Sequence, residues 1–285
     1  MAIKCIHCGK SNYKKKGFRK TQNRGKIQKF YCFDCHRYFT NDEGFYRMRN
    51  SEEKITECID LYFSNLSSRK VRNHLRRHRP KNASHETILN WCRKYVLKVS
   101  KYVNTLQPSL SGKVYADETD IPRGCNTKRK GGDIFWCSVD WDTRYINATL
   151  YSPNSQNLQD AKTFMKNIRK SGMPKYIQTD GLPFYPKAFR YAFGSSKLKT
   201  NDVEHKVLNF SKDKKYNVRI ETVFSKVKDR VDDFRGLKAL WSAPILMQGI
   251  ILQHNFIESH TTTGKIPSEL AGLKLDCGVN RWLGL

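Results

Sequence analysis

Lys113-Val-Tyr-Ala-Asp-Glu-Thr-Asp-Ile121 decides how the rest of this chain reads. Its β-branched and aromatic residues mark a strand, yet it carries the carboxylates of Asp117 and Glu118 side by side at its middle. Outward from it, Ile134-Phe-Trp-Cys-Ser-Val139 and Tyr145-Ile-Asn-Ala-Thr-Leu-Tyr151 read as two further strands, with Asp142-Thr-Arg144 at the turn joining them into a meander. Residues 157–170 then place Leu158, Ala161, Phe164, Met165 and Ile168 on one helical stripe, ended by Ser171-Gly172 and Pro174. Tyr176-Ile-Gln-Thr-Asp180-Gly181 is a short buried strand running into a turn, residues 184–193 are helical, and Ile220, Val223, Phe224, Val227, Val231 and Phe234 form one apolar helical stripe. Strand, strand, strand, helix, strand, helix, helix is a mixed α/β order.

Three acids fall where such a sheet presents them together: Asp117 on the first strand, Asp180 at the end of the fourth and Glu221 on the late helix. Strand alternation sends Asp117 and Glu118 to opposite faces, so only one of them is expected to join Asp180, and Asp117 is chosen. Clustered carboxylates are costly unless cations neutralise them, and hard divalent cations with oxygen ligands do so. Two such ions would activate a water or a 3′ hydroxyl and stabilise the leaving oxygen of an in-line phosphoryl transfer.

Toward the amino terminus, Cys5-Ile-His-Cys8 and Cys32-Phe-Asp-Cys35 are two Cys-x-x-Cys knuckles, a spacing that offers four thiolates to one structural Zn²⁺. His7 and His36 are alternative ligands, and Cys32 to His36 also fits the c-type haem attachment pattern, which leaves the upstream pair unexplained. The aromatics Phe30, Tyr31, Tyr38 and Phe39 would cover the metal site, and Lys14, Lys15, Lys16, Arg19, Lys20, Arg24, Lys26 and Lys29 decorate its arms. Cys58, Cys92, Cys125, Cys137 and Cys277 lack ligand spacing and read as buried thiols.

Between ribbon and sheet, residues 51–106 hold three short helical patterns, capped by Ser51, by Ser67-Ser68 and by Ser84, with Pro80 closing the second. Arg69, Lys70, Arg72 and Arg76 lie on the outside of the second helix. Thr87 and Asn90 lie near the leading end of the third, which a helix-turn-helix would insert into a major groove. A plain three-helix bundle with a basic face is the alternative. The polar stretch Gln107-Pro-Ser-Leu-Ser-Gly112 separates these helices from the sheet, giving expected domains of 1–50, 51–106 and 113–285.

The 285 residues carry 53 Lys+Arg against 26 Asp+Glu, a net charge of +27 spread over all three segments. That distribution suits several segments lying along one polyanion, with nucleic acid the leading partner. No run of 18 apolar residues exists and Met-Ala-Ile-Lys-Cys lacks the apolar core of a secretory signal, so a cytoplasmic, chromosome-associated protein without membrane contact is expected.

Tyr115-Ala-Asp117-Glu118-Thr119, Gln178-Thr-Asp180-Gly181 and Asn217-Val-Arg-Ile-Glu221 through Lys228-Asp-Arg230 together resemble the catalytic core of DDE transposases, in which a Lys follows the Glu by seven residues. Seven residues at 100° each return Lys228 to within about 20° of Glu221 on the helix, where it would grip DNA with Arg230 nearby. His254-Asn-Phe-Ile-Glu-Ser-His260 and Lys265-Ile-Pro-Ser-Glu-Leu-Ala-Gly272 are similar to the closing segment of insertion-sequence transposases of the IS-six family. The resemblance implies an RNase H-like fold, two Mg²⁺ or Mn²⁺ ions on Asp117, Asp180 and Glu221, and cleavage and joining of double-stranded DNA. It further implies terminal inverted repeats and target DNA as partners, and a homodimer or higher oligomer on DNA. A catalytically silent DNA-binding regulator and an RNase H-like nuclease are the competing readings; an intact acid triad argues against the first, a separate amino-terminal reader against the second.

Overall fold

The computed structural model describes residues 3–21, 25–41, 44, 45, 48–78, 83–124, 132–153, 156–194, 203–208 and 218–285. Arg24, Pro80, Cys125 and Asn217 of the sequence reading lie outside them. Contacts divide the chain into two compact units, Met1–Glu57 and Cys58–Leu285.

In the first unit, β1 (Tyr13–Thr21), β2 (Gly25–Cys32) and β3 (Tyr38–Thr40) form an antiparallel sheet in the order β1-β2-β3. Its interior is small: Cys5, Phe30, Cys32 and Phe39 are buried, with Ile3 and Tyr13 packed on them. Phe30 and Phe39 stack at 5.3 Å and Tyr13 meets both edge-on. β1 has no buried residue at all, so its lysines and arginine stand in solvent. Three aromatic rings' worth of core is too little to hold such a sheet alone, which makes the cysteine cluster below its structural centre.

α1 (Glu52–Phe63) begins at Ser51, whose hydroxyl accepts from Lys54 N at 3.4 Å, and runs on into the second unit. α2 (Ser68–His78) buries Val71 and Leu75, and α3 (His85–Val103) opens on Ser84, whose Oγ accepts from Thr87 N at 3.1 Å. As the apolar spacing predicts, Ile88, Trp91, Cys92, Tyr95, Val96 and Val99 are buried along α3.

β4 (Lys113–Ile121), β5 (Asp133–Asp140), β6 (Ile146–Ser152), β7 (Tyr176–Thr179) and β8 (Glu204–Val207) form a sheet in the order β6-β5-β4-β7-β8. β4, β5 and β6 are the antiparallel meander, and β7 and β8 join parallel to β4. β5, central in the meander, is buried at every residue, which explains why it reads as a continuous apolar run. α4 (Leu158–Ser171) and α5 (Phe184–Phe193) cover the face bearing Val114, Ala116 and Trp136. α6 (Val218–Asp233) packs on β4 and β5. This mixed five-stranded sheet, with its first strand central and helices on both faces, is an RNase H-like α/β fold.

β8 and α7 (Ala243–Leu252) were not anticipated, nor was the π-helical turn at Gln253–Ile257 that follows α7 directly. The chain closes with two single turns, α8 (Pro267–Leu270) and α9 (Arg281–Gly284). α3 packs on α7, and Phe234, after α6, stacks on Tyr62 at 4.5 Å. Trp282 stacks on Phe63 at 5.8 Å. The second and third helices of the proposed reader thus share a compact unit with the sheet.

Candidate functional site

β4 pairs with β7 only over Lys113–Tyr115, and β7 ends at Thr179. Residues 117 and 118 therefore project past the end of β7, where the chain turns at Asp180. One carboxylate oxygen each from Asp117, Glu118 and Asp180 lies within 4.8 Å of the others. The expectation that only one of the two β4 acids reaches Asp180 is therefore corrected. Alternation itself holds: Glu118 reaches Tyr185 of α5, whereas Asp117 pairs across with Cys137 and feels the charge of Glu221 on α6. The exclusion fails because Asp180 stands beyond the last strand residue, in line with the sheet edge, and both faces have access to it.

Each acid is held. Glu118 Oε1 accepts from Gln156 Nε2 at 2.8 Å and Oε2 accepts from the hydroxyl of the fully buried Tyr185. Asp180 Oδ1 accepts from Leu182 N at 3.1 Å, and Asp117 Oδ1 from Glu118 N at 2.9 Å. Burial pushes Asp117 up to about 7, aided by the charges of Glu118, Asp180 and Glu221 and opposed by the Glu118 N–H. Burial also pushes Glu118 up to about 7, against the hydrogen bonds from Tyr185 and Gln156. Glu221 sits in the first turn of α6, exposed and outside the tight cluster. Oxygen donors this crowded, with two of them resisting ionisation, fit a hard divalent cation, which would remove the repulsion that raises them.

Lys228 is exposed on α6, on the flank that the seven-residue spacing shares with Glu221. Arg230 is not presented to solvent. It is buried and ion-paired with Glu258, because its position on α6 falls beside the apolar stripe rather than on the Glu221 flank. On α2, Arg69 and Arg76 are exposed, Lys70 approaches Asp233 at 3.8 Å, and Arg72 donates to Asn73 Oδ1 at 3.0 and 3.3 Å. On α3, the Thr87 hydroxyl lies 3.0 Å from Ser84 Oγ within the cap, and exposed Asn90 accepts from Arg93 at 3.4 Å. Sequence reasoning set Glu118 aside and gave no role to Tyr185 or Gln156. The adjacency of Asp117 and Glu118 was the available signal.

In the first unit, the sulfurs of Cys5, Cys8, Cys32 and Cys35 all lie within 4.8 Å of one another, with Cys5–Cys35 and Cys8–Cys32 at 3.6 Å. Tetrahedral Zn–S bonds of about 2.3 Å require sulfurs roughly 3.8 Å apart, so the four thiols fit one zinc ion. His7 turns its ring to Tyr38 O at 3.3 Å and His36 to the Tyr31 hydroxyl at 3.3 Å, away from the sulfurs. The His7 N–H points at Cys5 Sγ at 3.5 Å. Opposing the burial that raises it, this bond and one from the Cys8 backbone hold Cys5 down at about 7.

Residues 129–260, a little under half of the chain, match the model of the DDE_Tnp_IS240 family, described as a DDE domain. The match includes Asp180 and Glu221 and begins after Asp117. No curated protein matches the chain. Among solved structures, a pre-cleavage Mos1 transpososome is 10% identical, with 65% of this chain and 70% of that one covered at a TM-score of 0.29. The nuclease domain of the large terminase subunit gp2 of bacterial virus Sf6 is 10% identical, with 66% and 84% covered at a TM-score of 0.24. Among the described residues no helix is long and apolar enough to cross a membrane.

Proposed function

We propose that the protein is a transposase of the DDE type that cleaves DNA at the ends of a mobile element and joins them to target DNA. The observation carrying this reading is the convergence of Asp117, Glu118 and Asp180 at the open edge of an RNase H-like sheet, with Glu221 facing Asp117 from α6. The DDE-domain match over residues 129–260 supports it.

In this reading Asp117, Asp180 and Glu221, with Glu118 beside them, hold two Mg²⁺ or Mn²⁺ ions. Bound there, such ions supply a nucleophilic oxygen at neutral pH and stabilise the leaving oxygen. The chain's own residues prepare the site. Tyr185 and Gln156 fix both oxygens of Glu118, and the Leu182 N–H fixes Asp180, so the donors are oriented before any ligand arrives. Lys228 offers a mobile cation to the DNA strand along the same helix flank. Residues 1–50 form a zinc ribbon on Cys5, Cys8, Cys32 and Cys35. Residues 51–106 read the terminal repeats through Arg69, Lys70, Arg72 and Arg76 on α2 and Thr87 and Asn90 on α3, and two or more copies bring the element ends together. An enzyme of the IS-six type, working on chromosomal DNA in the cytoplasm, fits these parts.

The test is strand cleavage and joining on a duplex carrying the inverted repeats that flank the encoding DNA. Asp117→Asn, Asp180→Asn and Glu221→Gln should each lose activity well beyond tenfold, with Mg²⁺ or Mn²⁺ required and Ca²⁺ supporting binding only. Full activity in all three variants would refute the assignment.

A further inference from the structure

On the opposite flank of α6 from Glu221 and Lys228 lies a second polar feature, which the carboxylate site does not use. A cavity of about 60 Å³ is lined by Arg219, Thr222 and Lys226 of α6, by Arg144 from the β5–β6 turn, and by His254 and His260. Among the described residues no carboxylate lines it. The nearby acids are engaged elsewhere: Asp140 by Thr143 and Ser111, Asp142 by Lys113 at 3.1 Å, and Glu258 by Arg230.

Arg144 gives one guanidinium N–H to the Trp141 carbonyl, and the rest of its hydrogen-bonding capacity is not all used. Arg144 is 9% exposed, and its Nε is buried without a hydrogen-bond partner among the described residues, as is Arg219 Nε. Both guanidinium groups lie against the Trp141 ring, at 5.6 and 4.2 Å from its centre, so two like charges share one wall. Burial and then the neighbouring Arg219 lower the Arg144 pKa, against the charges of Asp142 and Asp140; burial and the cations of Lys226, Arg144 and Arg219 lower that of His260.

The backbone is fixed to hold Arg144 there. Arg144 has φ 61°, a left-handed conformation that a residue with a long side chain rarely adopts, in a turn where Gly or Asn would be unstrained. Its carbonyl accepts from His254 Nε2 at 2.9 Å, and Asn255 exchanges two hydrogen bonds with the backbone of Ile146, both at 2.9 Å. His254 and Asn255 belong to the π-helical turn, so an irregular helix and a strained turn are locked together around the cavity. His260 Nδ1 accepts from Thr262 N at 3.3 Å, which leaves Nε2 to carry a proton.

We propose that this cavity is an oxyanion site that takes one phosphate group, bound by Arg144, Arg219 and Lys226 with Thr222 and His260 as hydrogen-bond donors. A cavity of this size takes a few water molecules, room for a single small oxyanion. The chemistry is that of charge-assisted hydrogen bonds from a guanidinium pair to phosphate oxygens. The phosphate is either free in solution or part of DNA. Only the second source rests on the transposase reading, since the cavity's lining holds none of the clustered carboxylates.

The experiment uses the full-length protein in EDTA and follows its thermal midpoint against inorganic phosphate, with sodium chloride at matched ionic strength as the reference. Phosphate should raise the midpoint saturably and chloride should not. Arg144→Gly, which suits the positive φ, and Arg219→Gln should each weaken the apparent phosphate affinity about tenfold or more, while Lys166→Gln on the other face of the sheet should leave it unchanged. Equal protection by phosphate and chloride, or protection retained in both arginine variants, overturns the site. Anisotropy with a labelled duplex then separates the sources. Competition by phosphate together with weaker binding in the two variants identifies a DNA phosphate, and unchanged DNA binding identifies free oxyanion. Loss or survival of cleavage in Asp117→Asn bears on the catalytic reading alone.

Discussion

Replacing Asp117 by Asn should abolish chemistry and at the same time stabilise the metal-free protein. Asp117 is held at about 7 against an ordinary 3.8, and Glu118 at about 7 against 4.5. Because both folded values lie above the unfolded ones, folding takes up protons. The stability these groups contribute is complete below about pH 4 and is lost as pH rises toward 7, after which no more is lost. At 1.36 kcal/mol per tenfold change, ionising Asp117 in the fold costs about 4 kcal/mol and Glu118 about 3 kcal/mol. The two share one field, so removing one charge also eases the other, and Asp117→Asn should gain about 2–4 kcal/mol at pH 8 in EDTA. The assay is urea denaturation of wild type and variant at pH 5 and pH 8, with and without Mg²⁺. At pH 8, Mg²⁺ should restore much of the missing stability to wild type and little to the variant. Identical pH dependence in the two proteins would show that the carboxylates are not crowded and desolvated as the structure places them.

Glu118→Gln keeps the shape but not the charge, and it should raise the Mg²⁺ concentration needed for cleavage more than tenfold, read from metal titrations of the rate. Lys228→Gln should weaken DNA binding at all sequences alike and reduce the salt slope of affinity by about 1, measured by anisotropy across a salt series. Gly249→Ala drives a methyl into the Phe63 ring, and should cost about 1–3 kcal/mol in urea denaturation. Cys8→Ser should leave less than one zinc per chain in metal analysis and expose the ribbon to proteolysis, whereas the untouched protein keeps the metal until a chelator removes it.

The parts legible in the sequence are those where one local rule decides. The four cysteines converge as their two Cys-x-x-Cys spacings require, and the Ser84 cap opens α3 where the polar-to-apolar transition places it. β4 and β6 follow from partial alternation, β5 from its continuous apolar run, and the α4 stripe from periodicity of 3.6. What escaped depends on where elements end in space. β8 is four residues long with no buried position, so nothing apolar announces it. α7 is apolar nearly all round, burying seven of its ten residues, and such a run has no face for periodicity to detect.

Glu118 marks the same boundary within the site. Parity correctly sends it to the α5 face, but parity describes neighbours inside a sheet, and β7 stops one residue before Asp180. A carboxylate standing past a strand end is reachable from both faces, and only the relative lengths of β4 and β7 reveal it. Arg230 failed in the complementary way. Seven-residue spacing fixes Lys228 on the Glu221 flank, but two residues further on the helix has turned 200°, which carries Arg230 to the interior and to Glu258. An acid at 258 is what makes that burial tolerable, so the pair must be tested together. Arg230→Ala should cost about 1–3 kcal/mol by stranding Glu258, and the Arg230→Met/Glu258→Leu double variant should recover most of it if the role is packing. If instead Arg230→Ala left stability intact and cut DNA affinity, the side chain would be swinging out to the nucleic acid, and its assignment to the core would be wrong.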